Sequence, residues 1–228
     1  MTKDQEIAYE NIKETWRPIV MPAGLTYNQT SDHIDELIKQ KDYRIVPYLG
    51  NLEYPGGPPT AVEALTTCFD AIPDNLKYPM TLDVHMSARK PIPIWIITQL
   101  RKYRPNDFLD DLAADIQAAE VLTVYRGSRN DQQSTDISTE VCWSLRKDVA
   151  LTFCQTIIDE GCTPHLYQAS IYRNDICAYT DGRDEAEVLQ FGKVFDAQEL
   201  PIISSEMETA IARVHQQIQN VLFNSEDK

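Results

Sequence analysis

Val121-Leu-Thr-Val-Tyr-Arg-Gly127 is the stretch at which the chain changes character. Up to about Glu120, apolar residues return at three- and four-residue spacings, the period of an amphipathic helix. From Val121 onward, short segments rich in Val, Ile, Tyr and Thr take over, as half-buried strands require. The change predicts an α+β protein, with an N-terminal helical region over 1–120 packed on a β-rich core over 121–228, together one compact unit.

Upstream of Val121 the spacing predicts helices from Gln5 to Trp16 and from Asp32 to Lys41. Tyr54-Pro-Gly-Gly-Pro-Pro59 must be a turn or linker, because neither helix nor central strand continues through paired prolines and glycines. A helix follows at once, opened by a Thr60/Glu63 capping box, with Val62, Leu65 and Phe69 on one face, and it ends before Pro73. Two more are expected, Ile94 to Tyr103 and Phe108 to Ala118, the second capped by Asn106 or Asp107.

Downstream, strands are expected over Val121 to Tyr125, Val141 to Leu145, His165 to Tyr172, Glu187 to Phe191 and Lys193 to Phe195. A helix from Lys147 to about Ile158 interrupts them. A second, from Glu206 to Leu222, closes the chain behind a Ser205/Glu208 capping box.

Composition narrows the function classes. At 43% hydrophobic and 25% charged residues, the chain is too apolar for a disordered tail. Its net charge of −14 repels nucleic acids and anionic membranes, so neither is expected as a partner. Five cysteines without a C-x-x-C pair suit reduced thiols. The start Met-Thr-Lys-Asp-Gln-Glu lacks a signal-peptide apolar run, and Ile92 to Ile97 is short and holds Pro93, so a soluble, cytoplasmic protein is expected. The four histidines show no metal-ligand spacing, and no metal is expected.

Several residues are suited to chemistry. Glu185 and Glu187, if both lie in one strand, leave it on the same face about 7 Å apart. Paired carboxylates suit reaction at an anomeric carbon, one stabilising an oxocarbenium ion and the other handling a nucleophile's proton; the plainer alternative is a solvated acidic turn. Arg126 ends a strand ahead of Gly127, where a planar fork can meet a phosphate with the backbone free to approach closely; the alternative is a salt-bridging strand-end arginine. Trp143 beside Ser144 offers an aromatic wall and a hydroxyl to a flat heterocycle, or simply a core side chain. Cys154 and His165 are a weaker thiol–imidazole candidate, since a cysteine on the inward face of a helix is usually inert packing. No G-x-G-x-x-G or P-loop element follows a strand.

The ordered set of strand-Tyr125-Arg126-Gly127, strand-Cys142-Trp143-Ser144, helix with Ala150-x-x-Phe153, then strand and Glu185-Ala186-Glu187 resembles the catalytic core of the mono-ADP-ribosyltransferases. The likeness is to the arginine-serine-glutamate branch with small bacterial, toxin and phage-encoded members, and it covers about Leu122 to Phe191. The resemblance implies a mixed, two-sheet β-sandwich core with NAD+ in the cleft between the sheets. Arg126 and Gly127 would contact a phosphate and ribose of NAD+. Ser144 would bind the nicotinamide ribose and orient the second glutamate, while Trp143 and Phe153 would line the nicotinamide pocket. The family's first serine falls on Cys142, so either a thiol replaces that hydroxyl or Ser144 serves.

By the same resemblance, Glu187 would stabilise the oxocarbenium ion and Glu185 would orient or deprotonate the acceptor. The implied activity is transfer of ADP-ribose from NAD+ to a protein arginine with release of nicotinamide. Arg126, Arg129, Arg146 and Arg173 are expected to form a local positive pocket in an otherwise acidic body. NAD+ hydrolysis by water, and a non-catalytic interaction protein of the same fold, stand as alternatives.

Overall fold

The computed structural model describes residues 24–50, 60–87, 90–110, 112–129, 136–181 and 184–224. The expected helix from Gln5 to Trp16 and the Tyr54–Pro59 linker lie outside the described residues. The protein is α+β, and backbone contacts divide it into two compact units where the sequence suggested one. The first comprises 1–117 with 177–183, and the second 118–176 with 184–228.

The first unit is helical: α1 (Tyr27–Lys39), α2 (Ile45–Gly50), α3 (Ala61–Cys68), α4 (Asp74–Ser87) and α5 (Ile94–Tyr103). Thr60 accepts the Glu63 amide while the Glu63 carboxylate accepts the Thr60 amide, which fixes the start of α3 as expected. Ile34, Ile45, Leu65, Phe69, Met80, Ile96 and Ile97 are buried as its core, each large aliphatic side chain contributing about 1.5–3 kcal/mol of transfer free energy. The short strand β4 (Ala178–Thr180) belongs to this unit. The Tyr78 hydroxyl accepts from the Tyr179 amide at 3.2 Å and donates to the Tyr179 carbonyl at 3.4 Å.

The expected helix from Phe108 to Ala118 shrinks to α6 (Ala114–Ala118). Phe108 and Leu109 are buried from a turn, where hydrophobic burial outweighs the local capping signal at Asn106 and Asp107.

In the second unit, β5 (Glu187–Leu189), β2 (Cys142–Ser144), β1 (Val121–Ser128), β3 (His165–Tyr172) and β6 (Phe195–Leu200) are successive neighbours in one sheet. Their pairings are antiparallel. This corrects the expected mixed two-sheet sandwich: among the described residues of this unit there is a single antiparallel sheet and no cleft between sheets.

Helix α7 (Lys147–Asp159) lies on one face of β1, and α8 (Ser204–Asn224) packs on α7. Ala150, Leu151, Cys154, Leu166 and Ala210 form the core there, flanked by Tyr125, Leu200, Ile202 and Met207. The helix expected from Glu206 instead begins two residues earlier, at Ser204, so Ser205 lies inside it, its carbonyl accepting from the Thr209 hydroxyl. Among the described residues no helix is long and apolar enough to cross a membrane.

Candidate active site

Three motif segments far apart in sequence lie on three adjacent strands. Tyr125 of β1 is opposite Ser144 of β2, and Ser144 is opposite Glu187 of β5. Directly opposed residues share a face of a sheet, so Tyr125, Ser144 and Glu187 form one row on the face that carries α7. Ser144 is 7% exposed and Glu187 8%, so a hydroxyl and a carboxylate are placed largely out of water.

Ser144 ties the row to the turn before β5. Its hydroxyl donates to the Glu185 carbonyl at 2.6 Å and accepts the Arg146 amide at 3.0 Å. The Leu145 amide also donates to the Ala186 carbonyl. The turn itself is strained: Asp184 has φ 55° and Ala186 φ 44°, left-handed values that cost a residue with a Cβ about 1 kcal/mol or more. The alternation that would put Glu185 and Glu187 on one face is therefore broken at Ala186. Only Glu187 is in the strand, and Glu185 lies half-buried in the segment before it.

Arg126 and Trp143 leave their strands from the opposite face, one residue along from Tyr125 and Ser144. Both converge on Glu140. An Arg126 Nη2 donor is 2.7 Å from the Glu140 carboxylate, and the Trp143 indole N–H donates to the Glu140 carbonyl at 2.9 Å. Arg126 Nη1 donates to the Cys142 carbonyl, and its buried Nε has no hydrogen-bond partner among the described residues. Trp143, 2% exposed, takes the core position.

Gly127 has another reason to be glycine than the approach of a ligand. A Cβ there would fall inside van der Waals contact of the Ala150 carbonyl and 3.0 Å from Cys154 N and Phe153 Cβ, so the missing side chain lets α7 lie against β1. Of the Ala150-x-x-Phe153 pair, Ala150 is buried, while Phe153 has its Cβ against β1 and is 48% exposed.

The expected positive pocket is offset by carboxylates. Arg129 pairs with Glu160 at 2.9 Å, and Arg146 pairs with Asp184 at 2.6 Å and Asp148 at 3.3 Å. Arg213 also reaches Asp148 at 2.8 Å, closing a charged network beside the 184–187 turn. Cys154 and His165 do not form a thiol–imidazole pair. The thiol touches the His165 backbone carbonyl at 3.8 Å, while the imidazole contacts Glu199 at 2.9 Å and stacks on Tyr167. Burial pushes the Cys154 thiol up to about 11, away from reactivity at neutral pH.

Glu140, Asp148, Asp184, Gln190 and Arg213 were not singled out in the sequence. The available signal was slight: Gln190 is a polar residue inside the apolar run Val188-Leu189-Gln190-Phe191, where a side chain must find buried partners. The chain matches no protein-family model, no curated protein and no solved structure.

Proposed function

We propose that the protein is an NAD+-dependent mono-ADP-ribosyltransferase that transfers ADP-ribose to a macromolecular acceptor, a protein arginine being the leading one, with nicotinamide as leaving group. The observation that carries this reading is the Tyr125–Ser144–Glu187 row, in which three separated motif segments become neighbours on β1, β2 and β5. The left-handed backbone on either side of Glu185, whose carbonyl is bonded to Ser144, is a second support, since such backbone persists where surroundings enforce it.

In the proposed mechanism NAD+ is the co-substrate. Breaking the C1′–N bond sends the bonding pair to nicotinamide and leaves positive charge on the ribose, which the low-exposure Glu187 carboxylate stabilises. Ser144 holds the 184–187 turn in register with β2. Glu185, from that turn, orients or deprotonates the incoming acceptor, whose lone pair forms the new bond to C1′. Nicotinamide release from NAD+, followed by chromatography, tests this: Glu187→Gln should lower it by about 100-fold or more. Equal release by wild type and Glu187→Gln would remove the reading.

A second reading is favoured by one observation. Arg126 is committed to Glu140 and Trp143 to the core, as in a binding protein that does no chemistry. Absence of any NAD+-dependent rise in Tm would favour it.

A further inference from the structure

We infer that Arg146 is the positioning residue of the candidate site: its guanidinium clasps Asp184 and so sets the register that places Glu187 opposite Ser144. The inference deepens the proposed function and rests on the reading of Glu187 as the reacting carboxylate.

Three consecutive carbonyls ahead of β5 are taken by three consecutive residues at the end of β2. The Asp184 carbonyl accepts from Arg146 Nη1 at 3.2 Å, the Glu185 carbonyl from the Ser144 hydroxyl at 2.6 Å, and the Ala186 carbonyl from the Leu145 amide at 3.0 Å. A regular antiparallel ladder supplies backbone donors. The left-handed φ values of Asp184 and Ala186 take this segment out of strand geometry, and side chains of 144 and 146 supply part of the bonding instead. Strand β5 is three residues long, and Glu187, Val188 and Leu189 are all buried. With no exposed face to oppose a buried one, side-chain alternation specifies the register weakly, and a slip of one residue would turn Glu187 to the other face.

The backbone of Arg146 is itself fixed. Its amide donates to the Ser144 hydroxyl at 3.0 Å, and its carbonyl accepts the Ala150 amide at 3.4 Å at the start of α7. Nη1 also donates to Asp184 Oδ1 at 2.6 Å, so one nitrogen grips both the carbonyl and the carboxylate of the residue whose φ is 55°. Nε and Nη2 each donate to the Asp148 carboxylate at 3.3 Å. Arg213 of α8 lies 2.8 Å from Asp148 and 3.8 Å from the second carboxylate oxygen of Asp184. Two arginines and two aspartates thus alternate in a ring that ties the 184–187 segment to α7 and α8. An isolated surface pair would contribute little, but the Arg146 side chain is 25% exposed and is shared among the Asp184 carbonyl and two carboxylates.

The test is steady-state nicotinamide release from NAD+ by the full chain, together with amide hydrogen exchange, in wild type, Arg146→Met, Arg146→Lys and Asp184→Leu. Circular dichroism serves as the check on folding. Arg146→Met keeps the length of the stem and removes every donor. It should lower kcat by about 10- to 100-fold and leave KM for NAD+ within about twofold, since geometry is lost and ground-state binding is not. Arg146→Lys, which still offers a donor to Asp184, should recover most of kcat. Asp184→Leu removes the gripped carboxylate and should match Arg146→Met, so if one of the two fails to fold the other decides. In both, exchange should quicken at 144–146 and 184–187 while the amides shared by β1 and β3 stay protected. Unchanged kcat in the folded variant, a loss carried by KM alone, or unchanged exchange at both segments overturns the inference. Quicker exchange there, with no nicotinamide release by wild type, keeps the clasp and overturns the proposed function instead.

Discussion

Ser144 joins two strand ends through one hydroxyl, donating to the Glu185 carbonyl and accepting from the Arg146 amide. Ser144→Ala removes both bonds and leaves half-buried partners unsatisfied, so it should cost about 1–3 kcal/mol in urea unfolding and, on the proposed function, lower nicotinamide release by loosening the Glu185 turn. The second residue-scale prediction concerns alkali. Folding raises the Cys154 thiol from 9.0 to about 11 and the Tyr78 phenol from 10.0 to about 12, in both cases chiefly by burial. Neither group contributes to pH dependence below its unfolded value. Above it the unfolded chain loses the proton first, so stability falls as pH rises from 9.0 toward about 11 for Cys154. Urea midpoints should drop between neutral pH and pH about 10.5, and Cys154→Ala should drop less. In the native protein at neutral pH, iodoacetamide should label the exposed Cys162 and spare Cys154.

Elements reveal which signals in a sequence are strong enough to read. His165–Tyr172 and Ile94–Tyr103 form as expected, because strand alternation in one and helical spacing in the other agree with burial. Helix α4 went unread since it contains Pro79 and buries Lys77 and Thr81 along with its apolar residues, which erases a simple stripe. Lys77 is kept there by the Asp74 carboxylate at 2.8 Å and by the Phe69 and Tyr103 rings, with Nζ at 5.5 and 4.7 Å from their centroids. Strand β6 was expected at Lys193 to Phe195 and instead runs Phe195–Leu200, mostly exposed and polar. Asp196 is at φ 51°, and the pairing with β3 shifts between Gln168 and Ser170, the features of a managed edge. Strand membership was legible at Arg126, Ser144 and Glu187, but the face was not, since Arg126 leaves β1 on the side opposite Ser144 and Glu187. Glu140 and Gln190 were not legible, because their roles depend on partners up to 52 residues away. Gly127→Ala should destabilise by about 1–3 kcal/mol in thermal unfolding, since the new methyl meets the backbone of α7 and only a helix shift relieves it.

At the scale of the whole molecule, the boundary between the two units at 117/118 lies close to the change of pattern at Val121, and 177–183 is lent by the β-rich half to the helical one. Sequence periodicity sees local segments and has no means of detecting such an exchange. On the proposed function, the net charge of −14 would favour an acceptor with a basic surface. An arginine-rich acceptor protein should therefore be modified more slowly as ionic strength rises, while nicotinamide release in its absence changes less, a difference that initial rates in a salt series measure. The central claim is the transfer itself, and one experiment addresses it directly: NAD+ labelled on its adenylate half, incubated with cell lysate and either wild type or Glu187→Gln. The account predicts a labelled macromolecule with wild type and none with Glu187→Gln. An unlabelled lysate with wild type while the NAD+ stays intact, or equal labelling by both proteins, would contradict it.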